Sequence, residues 1–440
     1  MSIVGAQSIA LLAAFFLAIS PWHLQFSRVA FETNSATFWS VLGTWAFLRG
    51  LQSQRLKLTA WMSLAALAFG ANLFMYHNAR VFIPLYAIAL LALFRKKLLT
   101  NLKHLIVPVI ITIIFVALLF PIITSISGQL RYKGTTIFAD ASPQYRAADL
   151  IAQDEKQGQL TVGKIFHNRR FVYLPILIDN YLSHFRPNFL FTTADMHRHH
   201  APEIGLLYLW DLVFILAGIY FLIRRDLEFK SKIIIFWWFL IAPVASSVTW
   251  GVPHSLRSEI YLPTYQIFIA VGVYSLYQTI KKSKLSQKFT FSLPAITLVT
   301  AGFLIFNFLL YLHQYYVHMP VEYSEAWLYG RRQAALYTQS VKQNYDRVIV
   351  STRLEQPHEF WLYYLAYDPR KYLQEGGTVS GGFLEDRNKF DKYLFRPIDY
   401  EKQRLEAKTL FVGVPKEYSQ GKLLRVISYL NGEPAIYIFE

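Results

Sequence analysis

The chain has 440 residues, 54% of them hydrophobic and only 16% charged, where a soluble domain carries about 25% charge. Mean hydropathy is +0.28, and the long apolar runs are too many for one soluble core to hide, which excludes a soluble enzyme. Cysteine is absent, excluding disulfides, thiolate metal sites and cysteine nucleophiles, and the formal charge of +16 is explained by basic cytoplasmic loops rather than by nucleic acid.

A hydrocarbon core takes about 20 apolar residues to cross. Runs of that kind predict nine membrane helices, at 3–21, 35–50, 58–75, 80–94, 104–123, 203–223, 232–249, 260–280 and 289–312. The second and fourth are short. They are kept because the charges between the runs then alternate strictly. One set of loops holds Arg49, Arg55 and Lys57; then Arg95, Lys96, Lys97 and Lys103; then Arg224, Arg225, Lys230 and Lys232; then Lys281, Lys282, Lys284 and Lys288. Only Asp226 and Glu228 oppose them. The positive-inside rule puts these loops and the N-terminus in the cytoplasm. It leaves 22–34, 76–79, 124–202, 250–259 and the tail outside. The expectation is a multi-pass protein of the cell inner (plasma) membrane. It divides into N-terminal membrane helices (1–123), an extracytoplasmic loop (124–202), C-terminal membrane helices (203–312) and an extracytoplasmic α/β domain (313–440).

The loop 124–202 is too long for plain linker. Within it, Phe166 to Phe185 mixes apolar and aromatic positions with Arg169, Arg170 and Asp179. That pattern predicts an amphipathic helix in the membrane interface or, alternatively, one packed on the extramembrane domain. In the tail, residues 322–344 predict a helix, Asp346–Thr352 a strand, and Pro357–Tyr367 a second helix with Pro in its first turn. Strands are predicted at Leu410–Val414, Leu423–Tyr429 and Ala435–Phe439, with Asn431-Gly432 turning the last two into a hairpin. No nucleotide loop or metal signature occurs there. A lid, recognition or stability role follows.

Chemistry on a lipid-linked substrate needs cations for phosphate at the water–lipid boundary, and a carboxylate to activate an acceptor or hold a metal. In Ser20-Pro-Trp-His-Leu-Gln-Phe-Ser-Arg-Val-Ala-Phe-Glu32, Arg28 and Glu32 share a face if the stretch is helical, and His23 joins them. A bare Arg28–Glu32 anchor is the competing explanation. The turn Tyr76-His-Asn-Ala-Arg80 brings Tyr76, His77 and Arg80 to the bundle mouth, where Tyr and Arg also serve as plain anchors. The segment Trp250 to Pro263 offers His254, Arg257 and Glu259, and an arginine fork matches phosphate oxygens well. Asp195-Met-His-Arg-His-His200 invites a metal. Adjacent histidines rarely share one coordination sphere, so an interfacial position or contact with phosphate or sugar is favoured over coordination. A divalent metal stays open. No G-x-S-x-G, dinucleotide or P-loop pattern is present.

Ser20 to Glu32, Tyr76-His-Asn-Ala-Arg80 with Pro84, and His254-Ser-Leu-Arg257 with Leu262-Pro263 resemble bacterial GT-C membrane glycosyltransferases. Phe189-Leu-Phe191, Asp195, His199-His-Ala-Pro, Gly205-Leu-Leu-Tyr208 and Tyr345-Asp-Arg-Val-Ile-Val350 extend the likeness over essentially the whole chain, in loosely spaced patterns. It is nearest to the dolichyl-phosphate-mannose–protein mannosyltransferase and aminoarabinose transferase superfamily. The resemblance implies transfer of a sugar from a polyprenyl-phosphate donor to a glycan, lipid or protein acceptor on the outer face. Glu32 stands where that family often has a loop carboxylate, and would be the catalytic group. Arg257 stands where it has a basic residue before a late membrane helix. His23, Arg28, Tyr76, His77, Arg80, His254, Arg257 and Glu259 would contact substrate. The family's additional N-terminal helices and the aspartate of its first outer loop have no counterpart, so an N-terminal region is expected to be missing. The competing functions are a ligase or polymerase of lipid-linked oligosaccharide, recognised by a pyrophosphate-linked donor, a transporter, and a non-catalytic membrane module. Few charges interrupt the apolar runs, which argues against a transport path.

Overall fold

The computed structural model describes residues 3–168, 171–224, 228–282, 292–379 and 386–440. Arg169, Arg170, Arg225, Asp226, Lys284 and Lys288 lie outside the described residues. The chain divides into two compact units, Met1–Tyr311 and Leu312–Glu440.

The first unit is a helical bundle. It opens with α1 (Ile3–Ala18) and α2 (Pro21–Arg28), then α3 (Glu32–Leu51), α4 (Arg55–Met75), α5 (Ala79–Leu99) and α6 (Leu102–Thr124). The long connection forms α7 (Ile126–Thr135), α8 (Ser142–Lys156), α9 (Leu160–Phe166), α10 (Leu174–Ser183) and α11 (Pro187–Phe191). Then follow α12 (Asp211–Arg224), α13 (Phe229–Ile241), α14 (Val244–Ser247), α15 (Ser255–Ser258) and α16 (Thr264–Lys282), and a helix at Ser292–His313. The expected interfacial helix condenses to α10, with Pro175 in its first turn.

Four described helices are long and apolar enough to cross a bilayer: Arg55–Met75, Leu102–Thr124, Phe229–Ser247 and Pro294–Glu322. Two bent pairs bring the number to six if each is one broken span. Only 11% of the most apolar stretch of Leu102–Thr124 is buried, and 6% of that of Pro294–Glu322. Side chains such as Ile113, Phe120, Leu298 and Phe306 therefore stand exposed. So much uncovered apolar surface is unstable in water and is satisfied by lipid. The chain has the make-up of a multi-pass membrane protein. Helices α3 and α5, 20 and 21 residues long, have the length to span, but their Ser, Thr and charged residues dilute their hydropathy.

Prolines break two of the expected spans, and a third starts late. Pro21 breaks the run 3–21, so Gly5–Ala18 and Pro21–Arg28 meet at 57°. Pro263 breaks 260–280, where Ser255–Tyr261 and Thr264–Lys282 meet at 50°. A proline lacks the N–H and crowds the preceding turn, so a helix cannot pass straight through. The helix expected from 203 begins only at Asp211. Leu206 and Leu207 instead run as fully buried irregular chain. It is pinned by the Leu207 N–H to Leu190 O (2.8 Å) and by the Trp22 N–H to Leu206 O (3.0 Å).

Helices α12 and α16 approach closely through two glycines. A Cβ on Gly218 would lie 1.8 Å from Phe268 O, and one on Gly272 2.1 Å from Phe214 O. Small residues permit this backbone contact. Gly218→Leu is expected to force the pair apart and to cost about 1–3 kcal/mol or more, read as a lowered unfolding midpoint in detergent; an unchanged midpoint would refute the close contact.

The second unit carries a six-stranded mixed sheet, β1 (Arg347–Val350), β2 (Lys389–Phe390), β3 (Tyr393–Phe395), β4 (Thr409–Gly413), β5 (Leu423–Ser428) and β6 (Pro434–Phe439), in the order β2-β3-β1-β4-β6-β5. Strands β1, β3 and β4 are parallel, while β5 and β6 form the antiparallel hairpin expected at Asn431-Gly432. Alternation puts Val348, Val350, Leu410 and Val412 into one core with Trp361, and Ile349, Phe411 and Phe439 into another on the opposite face. That is the period of a strand covered on both sides. The helix expected over 322–344 is confined to Arg331–Val341 after Gly330, whose φ of +96° interrupts it.

Candidate metal centre

The loop that follows α11 turns sharply at Ala194, a non-glycine residue held at φ +49°, and presents Asp195. Four residues on, the His199 Nδ1 lies 2.9 Å from Asp195 Oδ2. From the other side of the bundle's sequence, Ser255 grips the same carboxylate: its N–H donates to Oδ2 at 3.0 Å and its hydroxyl to Oδ1 at 2.7 Å. This places His254, the residue just before α15, with Nδ1 3.5 Å from Asp195 Oδ2. The three side chains are 6%, 4% and 9% exposed for Asp195, His199 and His254, so they are held and dry.

Electrostatics holds two of the three groups in their ligand forms, Asp195 ionised and His254 neutral. Burial alone would raise the Asp195 carboxyl, but the His199 and His254 imidazoles beside it and the Ser255 hydroxyl outweigh it and hold it at about 2. Burial, reinforced by the nearby Arg257 charge, keeps the His254 imidazole neutral, down at about 3. Its Nδ1 is buried without a hydrogen-bond partner, an orphan aimed at the carboxylate. One ligand atom from each of Asp195, His199 and His254 lies within 4.8 Å of the other two. Two imidazoles and one carboxylate suit a divalent ion such as zinc or manganese more than a calcium ion, which takes oxygen ligands.

A supporting layer fixes the cluster. His184, driven down to about 4 by burial, donates from Nδ1 to Asn180 O at 2.8 Å. Its Nε2 accepts from Ser246 Oγ at 2.8 Å and, more distantly, from the His254 N–H at 3.4 Å. Phe26 and Phe31 pack on the His199 ring at 5.3 and 6.0 Å. The Gln25 amide donates to Arg198 O at 2.6 Å. Such contacts orient metal-binding groups and set their affinity.

The outer turns expected to carry chemistry meet around this cluster in part. Arg257 is half-buried, donating at 2.6 Å to both Thr249 Oγ1 and Trp250 O, and lies within reach of the Tyr76 hydroxyl. The Asn78 amide donates to Arg257 O at 2.9 Å, joining the 76–80 turn to the same place. Arg80 points its Nε at Leu73 O, 3.1 Å away, while His77 is exposed with its ring 5.6 Å from that of Tyr76. His23 is half-buried on α2. Glu32, at the first position of α3, is exposed and directly follows Phe31 of the His199 packing.

Two expectations need correction. Arg28 and Glu32 do not share a helical face, because α2 ends at Arg28 and Ala30 (φ +55°) reverses the chain before α3. Glu259 is not placed to touch a substrate: it is fully buried, and its Oε2 accepts from the Thr33 hydroxyl. It ties α3 to the turn after α15.

Asp195 and His199 were visible in the sequence as part of an acid–histidine run, but weighed as interfacial residues. Of that run, His197 is exposed and His200 Nδ1 bonds Ala201 O at 2.8 Å. The third ligand is 55 residues further on, a separation that carries no local signal. No protein-family model matches the chain, and no curated protein matches it with significant similarity.

Proposed function

We propose that the chain is a GT-C-type glycosyltransferase, a nine-span bundle that moves a sugar from a polyprenyl-phosphate donor to an acceptor on the outer face of the cell membrane. The observation that supports this most is the meeting of Asp195, His199 and His254 with Arg257 and Tyr76 at one end of a bundle with lipid-facing walls. A metal ion and a guanidinium are what a departing phosphate requires, and its prenyl tail requires the bilayer. Two of the basic turns come together where Lys230 lies over the Phe94 ring at 4.9 Å, and the positive-inside rule would put these turns in the cytoplasm.

In the proposed reaction an acceptor hydroxyl forms a bond to the anomeric carbon while the bond from that carbon to the donor phosphate oxygen breaks. Polyprenyl phosphate leaves with the electron pair, and the hydroxyl proton passes to a carboxylate. Arg257 would neutralise the leaving phosphate. A metal held by Asp195, His199 and His254 would supply Lewis acidity at the same oxygens. Glu32, exposed and next in sequence to Phe31 of the His199 packing, would be the carboxylate that serves the acceptor.

The test is turnover of labelled polyprenyl-phosphate sugars by the purified chain in nanodiscs. Release of polyprenyl phosphate that stops with a chelator and returns with zinc or manganese is expected. Turnover only of pyrophosphate-linked oligosaccharide would shift the assignment to a ligase or polymerase, and turnover indifferent to chelation would remove the metal from the reaction.

A further inference from the structure

In the second unit the three parallel strands end together, and open α/β sheets bind ligands beyond the carboxyl ends of their strands. Beyond that edge lies a cleft of about 490 Å³ lined by Asp386, Arg387, Lys389, Arg396, Pro397 and Gln403. The register explains the convergence. The Arg396 N–H donates to Val350 O at 3.1 Å, placing Arg396 past the ends of both β1 and β3. Strand β2 runs antiparallel to β3, with Lys389 opposite Leu394, so Arg387 and Lys389 arrive at the same edge. Three cations face one carboxylate.

We infer that this cleft binds a phosphomonoester of a sugar-like, polyhydroxylated molecule. The Nε of Arg396 is buried and has no hydrogen-bond acceptor among the described residues, a donor whose cost an acceptor in the cleft would recover, an oxyanion most strongly. Arg387 and Lys389 supply the remaining charge for a dianion. The cleft falls within the usual range for small organic ligands, about 300–1,000 Å³, and has room for more than a phosphate. Among the described residues no aromatic ring lines it, so the described lining offers polar and charged contacts rather than the stacking by which a nucleobase is commonly held. The Asp386 carboxylate matches hydroxyl groups. Gln403 forms a fixed wall, because its amide already donates to Pro397 O at 3.1 Å and accepts from the Asp399 N–H at 3.0 Å. This site is independent of the transferase assignment and shares no residue with it.

The experiment titrates glucose 1-phosphate, glucose and inorganic phosphate separately into the full chain in nanodiscs. Glucose 1-phosphate is expected to bind tighter than either of the others. Arg387→Gln with Lys389→Gln, both at exposed positions, should weaken it at least tenfold, and Arg396→Gln alone should do the same. His199→Ala should leave it unchanged, which separates this site from the metal centre. Equal affinity for glucose or for inorganic phosphate, undiminished binding in the Arg387/Lys389 variant, or loss of binding in His199→Ala would each overturn the inference.

Discussion

Replacing His199 with alanine is expected to lower metal affinity by at least about 100-fold, since even residues that only support a ligand cost 10–100-fold, and to take donor turnover down with it. The side chain sits between Asp195 and the Phe26 and Phe31 rings. Its loss removes one of three ligand atoms and the hydrogen bond that holds the carboxylate. Asp195 would then face His254 alone, with Ser255 still gripping both oxygens, so the loop should keep its place. Metal titration together with turnover separates the outcomes. A variant that folds, binds metal like the wild type and turns over normally would show that the cluster is a structural hydrogen-bond network.

Arg257→Ala should cut turnover by about 10²–10³-fold, the range seen when one preorganised donor to a developing oxyanion is removed. The loss should fall on kcat more than on KM, because the guanidinium is needed most as charge builds on the phosphate. Thr249 Oγ1 and Trp250 O lose the Arg257 donor in that variant, so a stability effect must be separated from a catalytic one. Arg257→Lys provides the separation: an ammonium keeps the charge but not the planar fork, and should recover part of the rate. Equal loss in both variants with a lowered unfolding midpoint would assign Arg257 to the fold alone.

Much of this arrangement was legible in the residue order. Apolar runs and the alternating basic loops marked the helices, and Asn431-Gly432 marked the final hairpin, because hydropathy and turn chemistry are local properties. What was not legible depends on contacts between distant segments. Nothing near Glu259 announces that Thr33 will cover it. Pro21 stood at the expected end of the first helix, but the break at Pro263 inside the expected span 260–280 was not read from the sequence, and how Leu206 and Leu207 would run as irregular chain through the core depends on Leu190 and Trp22. The short strands β2 and β3 were missed because Asp391 and Lys392 interrupt their alternation, and the tight turn at Asp391 (φ +48°) pairs them only in three dimensions. His254 was read as a candidate substrate contact, not as a metal ligand. Its place opposite Asp195 is set by Ser255 and by His184, which no spacing rule connects.

The most direct measurement is the content of tightly bound divalent metal in the purified full chain, compared with an Asp195→Ala/His254→Ala variant of the same fold. One ion per chain in the wild type and none in the variant is expected. Equal metal content in the two proteins, or none in a wild type given excess zinc and manganese, would contradict the account.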